Sequence, residues 1–328
     1  MESHNQMKAI VITTIHDPSE AIIRFAGLKG FQLYVAGDRK TPKNWNVPNV
    51  NYLDLAQQER ATRMGLMLPK NHYSRKMAGY ETAIDDGAEI IIDSDDDNIP
   101  SADYHFPPFT GNFLCYEQDL GFVNPYHHFT SAKIWPRGLP LDQISRDDSK
   151  LSKVREKIRV GVWQGLANGE PDVDAIYRLT GGEPCSFENK ESIVLPRGTM
   201  APFNSQNTAF VRALFPLLYL PAHVTFRFTD ILRGLVAQPI MWKHGFHVGF
   251  SAASVVQERN PHDCFQDFLS EIPMYRHCRT VVDIASTASA GQSLVDDLWS
   301  TYEGLFREGI VESEELEMLQ TWLELFRN

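Results

Sequence analysis

The sequence predicts an α/β fold whose sheet is built from buried strands joined by helices, and three observations lead to it. Short apolar, β-branched runs occur at 8–14, 31–36 and 89–92, which suits strands that are buried on both faces of a parallel sheet. Residues 18–29 are long enough for a crossover helix between the first two runs, and such a βαβ unit is expected to be right-handed. Apolar residues at helical spacing occupy the segment before the third run.

That second helix is predicted over residues 71–88, where one apolar stripe at i, i+4, i+7 and i+11 packs on the sheet: Tyr73, Met77, Tyr80 and Ile84. Gly87 is predicted to end it. The strand at 89–92 then runs directly into the acidic segment 93–98. Because ligands of open α/β sheets bind beyond the carboxyl ends of the strands, we expect the chemistry at this acidic segment.

The next part of the chain is less regular. Residues 100–207 are rich in proline and glycine, and their broken periodicity predicts long ligand-facing loops with short strands, one of them at 192–195. A helix that ends near Leu220, a helix over about 230–238 and a strand near 247–250 are predicted to follow.

Two units are predicted, the sheet domain at 1–265 and a helical C-terminal extension at 266–328. The extension carries two apolar stripes at helical spacing, the first formed by Leu294, Leu298, Tyr302 and Leu305 and the second by Leu316, Leu319, Leu323 and Phe326. Ser313 is the predicted N-cap of the last helix. We expect these helices to serve packing or the assembly of a homo-oligomer rather than catalysis.

Composition disfavours several function classes. With 31 Lys and Arg against 42 Asp and Glu, the chain has a formal charge of −11, which disfavours nucleic acid and anionic membranes as partners. No apolar stretch is long enough for a transmembrane segment and residues 1–7 are polar, so the sequence predicts a cytoplasmic protein. The four cysteines are far apart, which predicts reduced thiols. Signatures of P-loop, dinucleotide-binding, serine-hydrolase and zincin proteins do not occur.

The segment Asp93-Ser-Asp-Asp-Asp-Asn98 is the strongest functional signal. Four carboxylates within five residues at a strand end repel one another unless a cation or hydrogen bonds offset the repulsion, although a solvated acidic turn is the alternative. Mn²⁺ and Mg²⁺ bind through one or two carboxylates together with substrate phosphates. We expect Asp95 and Asp97 to be the ligand pair, with Asp93 and Asp96 pointing elsewhere.

A metal-bound diphosphate also needs cationic partners. Lys70, Arg75 and Lys76 lie on or just before the helix that precedes the acidic strand, and they either contact phosphates or face solvent. Asp38, at the end of the second strand, either accepts a hydrogen bond from a base or ribose or caps a turn with Gly37.

Later segments supply further candidates. Arg137 lies between proline and glycine on a loop predicted to be stiff and exposed, which suits contact with phosphate or sugar. Asp230 is either a helix N-cap or a general base. Arg259 and His262 follow the last predicted strand and are candidate cleft residues, although a lone histidine is more often structural. The polar stretch at 202–208 adds two asparagines, Asn204 and Asn207.

Six segments occur in a fixed order: Gly37-Asp-Arg-Lys-Thr-Pro42, Leu68-Pro-Lys-Asn-His-Tyr-Ser-Arg-Lys76, the acidic segment, Trp135-Pro-Arg-Gly-Leu-Pro140, Asn204-Ser-Gln-Asn-Thr208 and Val256-Gln-Glu-Arg-Asn-Pro-His-Asp263. Together they resemble the STELLO-like family of glycosyltransferases over residues 8–275. The resemblance implies a glycosyltransferase A-type fold, which is a Rossmann-like mixed sheet flanked by helices, with an acidic metal motif.

A weaker likeness extends to the reversibly glycosylated polypeptides, which are UDP-arabinopyranose mutases of the same fold. Asp95-Asp-Asp97 resembles their triple-aspartate motif, and Arg137-Gly-Leu-Pro140 is similar to the segment that carries their autoglycosylated arginine. Asn98 stands where those mutases have cysteine, and their late histidine has no clear counterpart in this chain.

The resemblance implies that residues 1–265 form a nucleotide-sugar-binding catalytic domain that transfers a sugar, with a UDP-sugar expected as donor, to a hydroxyl acceptor. Asp95, Asp97 and His262 are the predicted ligands of Mn²⁺ or Mg²⁺, and Asp230 and Arg137 are the predicted catalytic residues. The residues predicted to contact the donor are Thr13, Asp38, Arg75, Lys76, Asp95, Asp96, Asn204, Asn207 and Arg259. Two alternatives stay open, a UDP-sugar pyranose/furanose mutase that acts through Arg137 and a non-catalytic nucleotide-sugar-binding scaffold.

Overall fold

The computed structural model describes residues 6–258, 263–288 and 293–327. In chain order its strands are β1 Lys8–Thr14, β2 Phe31–Gly37, β3 Val50–Leu53, β4 Ile90–Ser94, β5 Asn98–Pro100, β6 Thr110–Tyr116, β7 Gly121–Phe122, β8 Lys153–Gly169, β9 Ile193–Leu195, β10 Thr199–Met200, β11 Asn207–Val211 and β12 His247–Gln257. Its α-helices are α1 Glu20–Ala26, α2 Leu55–Ala61, α3 Met64–Met67, α4 Lys76–Asp85, α5 Tyr126–Phe129, α6 Ala175–Leu179, α7 Thr229–Lys243, α8 Cys264–Thr287, α9 Leu294–Arg307 and α10 Ser313–Leu323. Short 3₁₀ helices occupy Tyr73–Arg75, Arg212–Leu218, Phe226–Phe228 and Glu324–Phe326.

The main sheet has ten strands within the described residues, in the order β3-β2-β1-β4-β11-β8-β6-β9-β12-β5. The strands β3, β2, β1 and β4 are parallel, and β11 adds to them in the antiparallel direction. Helices flank this mixed sheet and a helical region ends the chain, so the predicted α/β class is confirmed and the architecture is consistent with a glycosyltransferase A-type fold.

The amino-terminal βαβ unit follows the sequence prediction. Both apolar runs form buried strands, and α1 connects them after an N-cap in which Ser19 Oγ accepts a hydrogen bond from the Ile22 amide. The second predicted helix is present as a 3₁₀ turn followed by α4, and the chain reverses at Gly87, whose φ of 89° favours glycine. The sequence therefore identified the half of the sheet that carries the acidic segment.

The prediction of only short strands in residues 100–207 is wrong. This region contains the 17-residue strand β8 and the seven-residue strand β6. Residues 153–159 of β8 pair with β6 and are largely solvated, so charged side chains interrupt the apolar pattern there. Only residues 160–167 are continuously buried. A strand whose environment changes along its length has no single period for the sequence to display.

The prediction of a helix that ends near Leu220 is also wrong. Residues 207–211 form β11, which lies between β4 and β8, and residues 212–218 form a 3₁₀ helix that contains Pro216. The predicted helix at 230–238 is longer, since α7 spans Thr229–Lys243, and the predicted strand at 247–250 extends to Gln257. The 24-residue helix α8 lacked a clear stripe and had not been predicted.

The C-terminal helices share one hydrophobic core with the sheet. Leu298, Tyr302 and Trp322 are buried in the same cluster as Val162 of β8. The predicted cap differs, because Glu312 is the N-cap of α10 and makes no side-chain capping bond. The division at residue 265 and assembly of copies through these helices stay predictions.

Among helices of the described ranges, none is long and apolar enough to cross a membrane. Each of the four cysteines is a free thiol.

Trp322 anchors the last helix to the 3₁₀ helix that follows β11. It is fully buried, and its Nε1 donates a hydrogen bond to the Pro216 carbonyl at 2.8 Å. We expect Trp322→Ala to lower the free energy of unfolding by about 3–5 kcal/mol, because it leaves a large cavity and an unpaired carbonyl. Urea unfolding measures the change. Phe306→Ala on α9, where the side chain is 44% exposed, is the control, and an equal loss in both variants would contradict this anchoring role.

Candidate functional site

A cavity of about 390 Å³ opens beyond the carboxyl ends of β1, β2 and β4. The acidic turn after β4 forms one wall and a cluster of arginine and aspartate side chains forms another. The charged residues among its described lining are Asp38, Lys40, Arg75, Asp95, Asp96, Asp97, Arg137, Asp172, Arg227 and Asp230. The six carboxylates outnumber the four cationic side chains, so the described lining has an excess of negative charge.

Beneath the acidic turn lies a buried ion cluster centred on Asp93. This side chain is fully buried at the end of β4, where Lys76 Nζ lies 2.7 Å from its Oδ1 and Arg233 donates to its Oδ2 at 2.7 Å. Lys76 Nζ also donates to the Ser94 carbonyl and to Asp95 Oδ1, at 2.8 and 2.9 Å. Asp93 therefore points away from the cavity, as expected, and Lys76 is held by the turn itself.

The three consecutive aspartates of the turn all line the cavity, so the prediction that Asp96 points elsewhere is wrong. Asp96 accepts a hydrogen bond from Thr14 Oγ1 of β1, and Asp97 Oδ2 accepts one from Gln257 Nε2 of β12 at 3.1 Å. Asp95 keeps 36% of its side chain exposed. Burial raises the pKa of Asp95 to about 7, with the charge of Asp97 adding to the effect and Lys76 opposing it.

The donor chemistry of this turn fits a hard divalent cation that also binds substrate phosphates. Its carboxylates face a cavity with excess negative charge, and a bound cation would favour the ionised form of Asp95, whose pKa burial raises. In the described ranges no group of three or more His, Cys, Asp or Glu side chains is arranged to hold a metal ion alone. Two carboxylates completed by phosphate oxygens and water are a usual set for Mg²⁺. Arg259 and His262, predicted to contact the donor and the metal, lie outside the described residues.

Arg137 is not exposed, as its loop had predicted, but only 5% accessible. Its Nε and Nη2 donate to the two oxygens of Asp172, each at 2.8 Å. Its Nη1 and Nη2 donate to the two oxygens of Asp230 at 3.0 and 2.8 Å, and Nη1 also donates to the Arg227 carbonyl. All five guanidinium N–H donors are engaged. The Pro-Arg-Gly sequence makes a stiff turn that inserts the arginine between two carboxylates rather than presenting it to solvent.

The loop reaches this position because residue 138 is glycine. Gly138 has a φ of 92°, and a Cβ there would lie 2.6 Å from Ile231 Cγ2 on α7. This close approach places Arg137 beside the first turn of α7, where Asp230 lies.

Asp230 is not the N-cap of α7, since Phe228 occupies that position. Asp230 lines the cavity and is only 4% exposed. Its carboxylate accepts hydrogen bonds from Arg137 and from the Ser205 amide, the latter at 3.2 Å. Burial raises the pKa of Asp230, but the attraction and hydrogen bonds of Arg137 outweigh it and lower the pKa to about 2. Asp230 is thus a permanently ionised group that can orient a hydroxyl.

The stability contribution of Asp230 has a defined pH dependence. Because its folded-state pKa lies below the ordinary value of 3.8, the stabilisation is complete above about pH 4 and is lost as the pH falls towards 2. We expect Asp230→Asn to be less stable than the unmodified protein at pH 6, with a gap that narrows below about pH 4. Urea unfolding from pH 6 to pH 3 measures this gap, and a gap that widens on acidification would contradict the assignment.

The other predicted donor-contacting residues fall into two groups. Thr13 and Asp38 line the cavity, and Asp38 Oδ2 accepts from the His72 amide at 3.2 Å. Asn204 and Asn207 are buried and serve their neighbours: Asn204 Nδ2 donates to Asp172 Oδ2 at 2.8 Å, and Asn207 Nδ2 donates to the Ser254 hydroxyl at 2.9 Å. Neither asparagine is among the residues found to line the cavity.

Arg75 touches the cavity but is held by the protein. Its three guanidinium nitrogens donate to Gln58 Oε1 and to the carbonyls of Leu68 and Gly65 at 2.7, 2.8 and 3.1 Å. A phosphate contact by Arg75 stays a prediction. Lys70 pairs with Glu59 at 2.8 Å and is not among the lining residues.

Several cavity residues were not predicted from the sequence. Asp172 and Arg227 complete the charged wall, and the buried Glu271 of α8 holds Arg227 at 2.9 Å. No local pattern in the sequence distinguishes either of these two residues as part of a site. His72, Tyr73 and Phe226 add an aromatic wall, and Tyr73 had been interpreted only as part of the apolar stripe.

No protein-family model matches the chain. The probable glycosyltransferase STELLO2 of Arabidopsis thaliana is 34% identical to it over 264 residues, and STELLO1 of the same plant is 32% identical over 264 residues. Each alignment covers 74% of this chain and 34% of the plant protein, so the chain spans about a third of the length of these relatives. Over about three quarters of its own length the chain is therefore a homologue of the STELLO proteins, which confirms the resemblance that its motifs predicted.

Proposed function

We propose that this chain is a metal-dependent glycosyltransferase that uses a nucleoside diphosphate sugar, with a UDP-sugar as the expected donor. The observation that carries the proposal is the pairing of two walls in one cavity, the aspartate turn after β4 and the Arg137-centred cluster. A diphosphate would add negative charge to a lining that already has an excess of it. A divalent cation on Asp95 and Asp97 offsets both charges.

Each wall has a distinct task in this proposal. Asp95 and Asp97 would hold Mn²⁺ or Mg²⁺, which would supply electrostatic stabilisation of the leaving diphosphate. Asp96 is held by Thr14 and fixes the turn, while Lys76 fixes Asp95 from below. Asp38 and Thr13 lie at the ends of the first two strands, where they can contact the base or ribose.

On the opposite wall, Asp230 orients the acceptor hydroxyl. Its pKa of about 2 makes it a weak proton acceptor, so orientation rather than full deprotonation is its expected contribution. Arg137 keeps Asp230 ionised and positioned. The engagement of all its N–H donors favours this role over transient attachment of a sugar to the arginine.

The plant relatives support the transferase class, because both are named as probable glycosyltransferases. Their similarity covers only part of their length. The assay therefore varies the sugar, as hexose or pentose, and the hydroxyl compound that accepts it.

The test is turnover with a panel of UDP-hexoses and UDP-pentoses in Mn²⁺, Mg²⁺ or EDTA, with simple glycosides as acceptors. We expect metal-dependent release of UDP, faster with a suitable acceptor, and a glycosylated product on chromatography. Conversion of a UDP-sugar into its ring-size isomer without acceptor would replace the transferase with a mutase. Metal-dependent binding without turnover across the panel would favour a scaffold, and no UDP-sugar binding at all would refute the proposed site.

A further inference from the structure

An aromatic wall of three rings closes one side of the cavity: His72, Tyr73 and Phe226. The rings of Tyr73 and Phe226 meet edge to face with centroids 4.9 Å apart, and His72 packs on Tyr73 at 5.7 Å. Phe226 remains 51% exposed although it lines a cavity. Burial lowers the pKa of His72 to about 4, so this wall is uncharged at neutral pH.

The Tyr73 hydroxyl has an unusual environment. Its oxygen is buried and has no hydrogen-bond partner among the described residues. A buried hydroxyl without a partner destabilises the folded state, so native structures seldom keep one unless a ligand or water completes it. Burial and the nearby Asp230 carboxylate raise the pKa of Tyr73 well above 10, and the hydroxyl therefore stays protonated and can donate.

The two ends of the aromatic wall adjoin different parts of the cavity. Phe226 begins the 3₁₀ helix Phe226–Phe228 that leads into α7, which carries Asp230, and Tyr73 packs on Phe226. At the other end, the His72 amide donates to Asp38 Oδ2 at 3.2 Å. The Tyr73–Phe226 end is therefore the part of the wall beside Asp230, where the sugar of a bound donor has to react.

Resting on the proposed function, we propose that Tyr73 and Phe226 form the subsite for the transferred sugar. The Tyr73 hydroxyl donates a hydrogen bond to a sugar hydroxyl, and the exposed ring of Phe226 packs against the apolar face of the sugar ring. The chemical class recognised is therefore a neutral sugar with at least one hydroxyl directed at Tyr73.

The test compares calorimetric titrations of UDP and of UDP-sugars, in Mn²⁺, for the unmodified protein, Tyr73→Phe and Phe226→Ala. We expect the affinity for UDP to stay within about twofold in both variants. The gain in affinity that the sugar confers over UDP should fall about fivefold to tenfold in Tyr73→Phe, and it should also fall in Phe226→Ala. Tyr177→Phe, which removes a hydroxyl bonded to the Glu183 carbonyl outside the cavity, should change neither affinity.

The Tm of Tyr73→Phe separates sugar binding from a purely structural role of the hydroxyl, for which the substitution would lower Tm. Because the hydroxyl has no partner in the described residues, its removal should leave Tm unchanged or raise it. A Tm lowered by several degrees, or an unchanged preference for the UDP-sugar, would overturn the proposal. An equal loss of affinity for UDP and UDP-sugar would also overturn it, because it would indicate that Tyr73 contacts the base. If the unmodified protein does not bind UDP in Mn²⁺, the proposed function itself is refuted. That outcome differs from the one that refutes only the sugar subsite, in which the unmodified protein binds UDP and Tyr73→Phe has an unchanged preference for the UDP-sugar.

Discussion

Asp97→Asn is expected to reduce metal-dependent UDP binding and sugar transfer by at least about a hundredfold. The substitution keeps the shape of the side chain and its place beside Gln257, but it removes one of the two negative charges assigned to the cation. Loss of a metal-binding carboxylate exceeds the tenfold to hundredfold effects typical of the residues that support such ligands. Titration of UDP in the presence of Mn²⁺ measures the binding, and UDP release measures turnover.

Asp103→Asn is the matched control for the change in net charge. Asp103 is exposed, follows β5 and is not among the lining residues, so its substitution should leave binding and turnover within about twofold of the unmodified protein. If Asp97→Asn retained metal-dependent UDP binding, the assignment of the acidic turn as the metal site would be wrong.

Arg137→Ala is expected to lower the free energy of unfolding by about 3–5 kcal/mol. The substitution leaves Asp172 and Asp230 buried side by side without the guanidinium that both of them contact. Two uncompensated carboxylates in a protein interior repel each other and are poorly solvated. Urea unfolding at pH 7 measures the loss, and sugar transfer should fall with it because Asp230 is no longer held.

An exposed ion pair serves as the control for Arg137. Arg155 pairs with Glu191 at 2.7 Å, with side chains that are 54% and 50% exposed, and Arg155→Ala should cost no more than about 1 kcal/mol. Adding Asp172→Asn and Asp230→Asn to Arg137→Ala should restore part of the stability, because it removes the repelling charges. No recovery in the triple variant would contradict the electrostatic explanation.

The fold could be predicted where local pattern and burial agree. The runs that became β1, β2 and β4 are apolar because both faces of these strands are covered. Strand β8 could not be predicted in this way, since its first half is solvated and its second half is buried. The residues from 208 to 220 resemble one helix, yet only residues 212–218 form a helical turn, of the 3₁₀ type. Residues 207–211 form β11 instead, because β4 and β8 offer hydrogen-bonding edges that only the tertiary structure creates.

The acidic turn of the candidate site could be predicted from the sequence, whereas most of the Arg137-centred cluster could not. The cluster after β4 is contiguous in sequence, so its position at a strand end follows from the strand itself. Asp172 and Asp230 lie 35 and 93 residues after Arg137 along the chain, and no local pattern indicates that the three side chains meet. Tyr73 fits a helical stripe and was interpreted as core, while its unpartnered hydroxyl becomes visible only in three dimensions.

Titration of UDP into the unmodified protein shows whether this cavity binds a nucleoside diphosphate through a divalent cation on the acidic turn. We expect clear binding in Mn²⁺ and a loss of at least about tenfold in affinity in EDTA, because the lining carries excess negative charge. Equal affinity in Mn²⁺ and EDTA, or no binding in either, would contradict it.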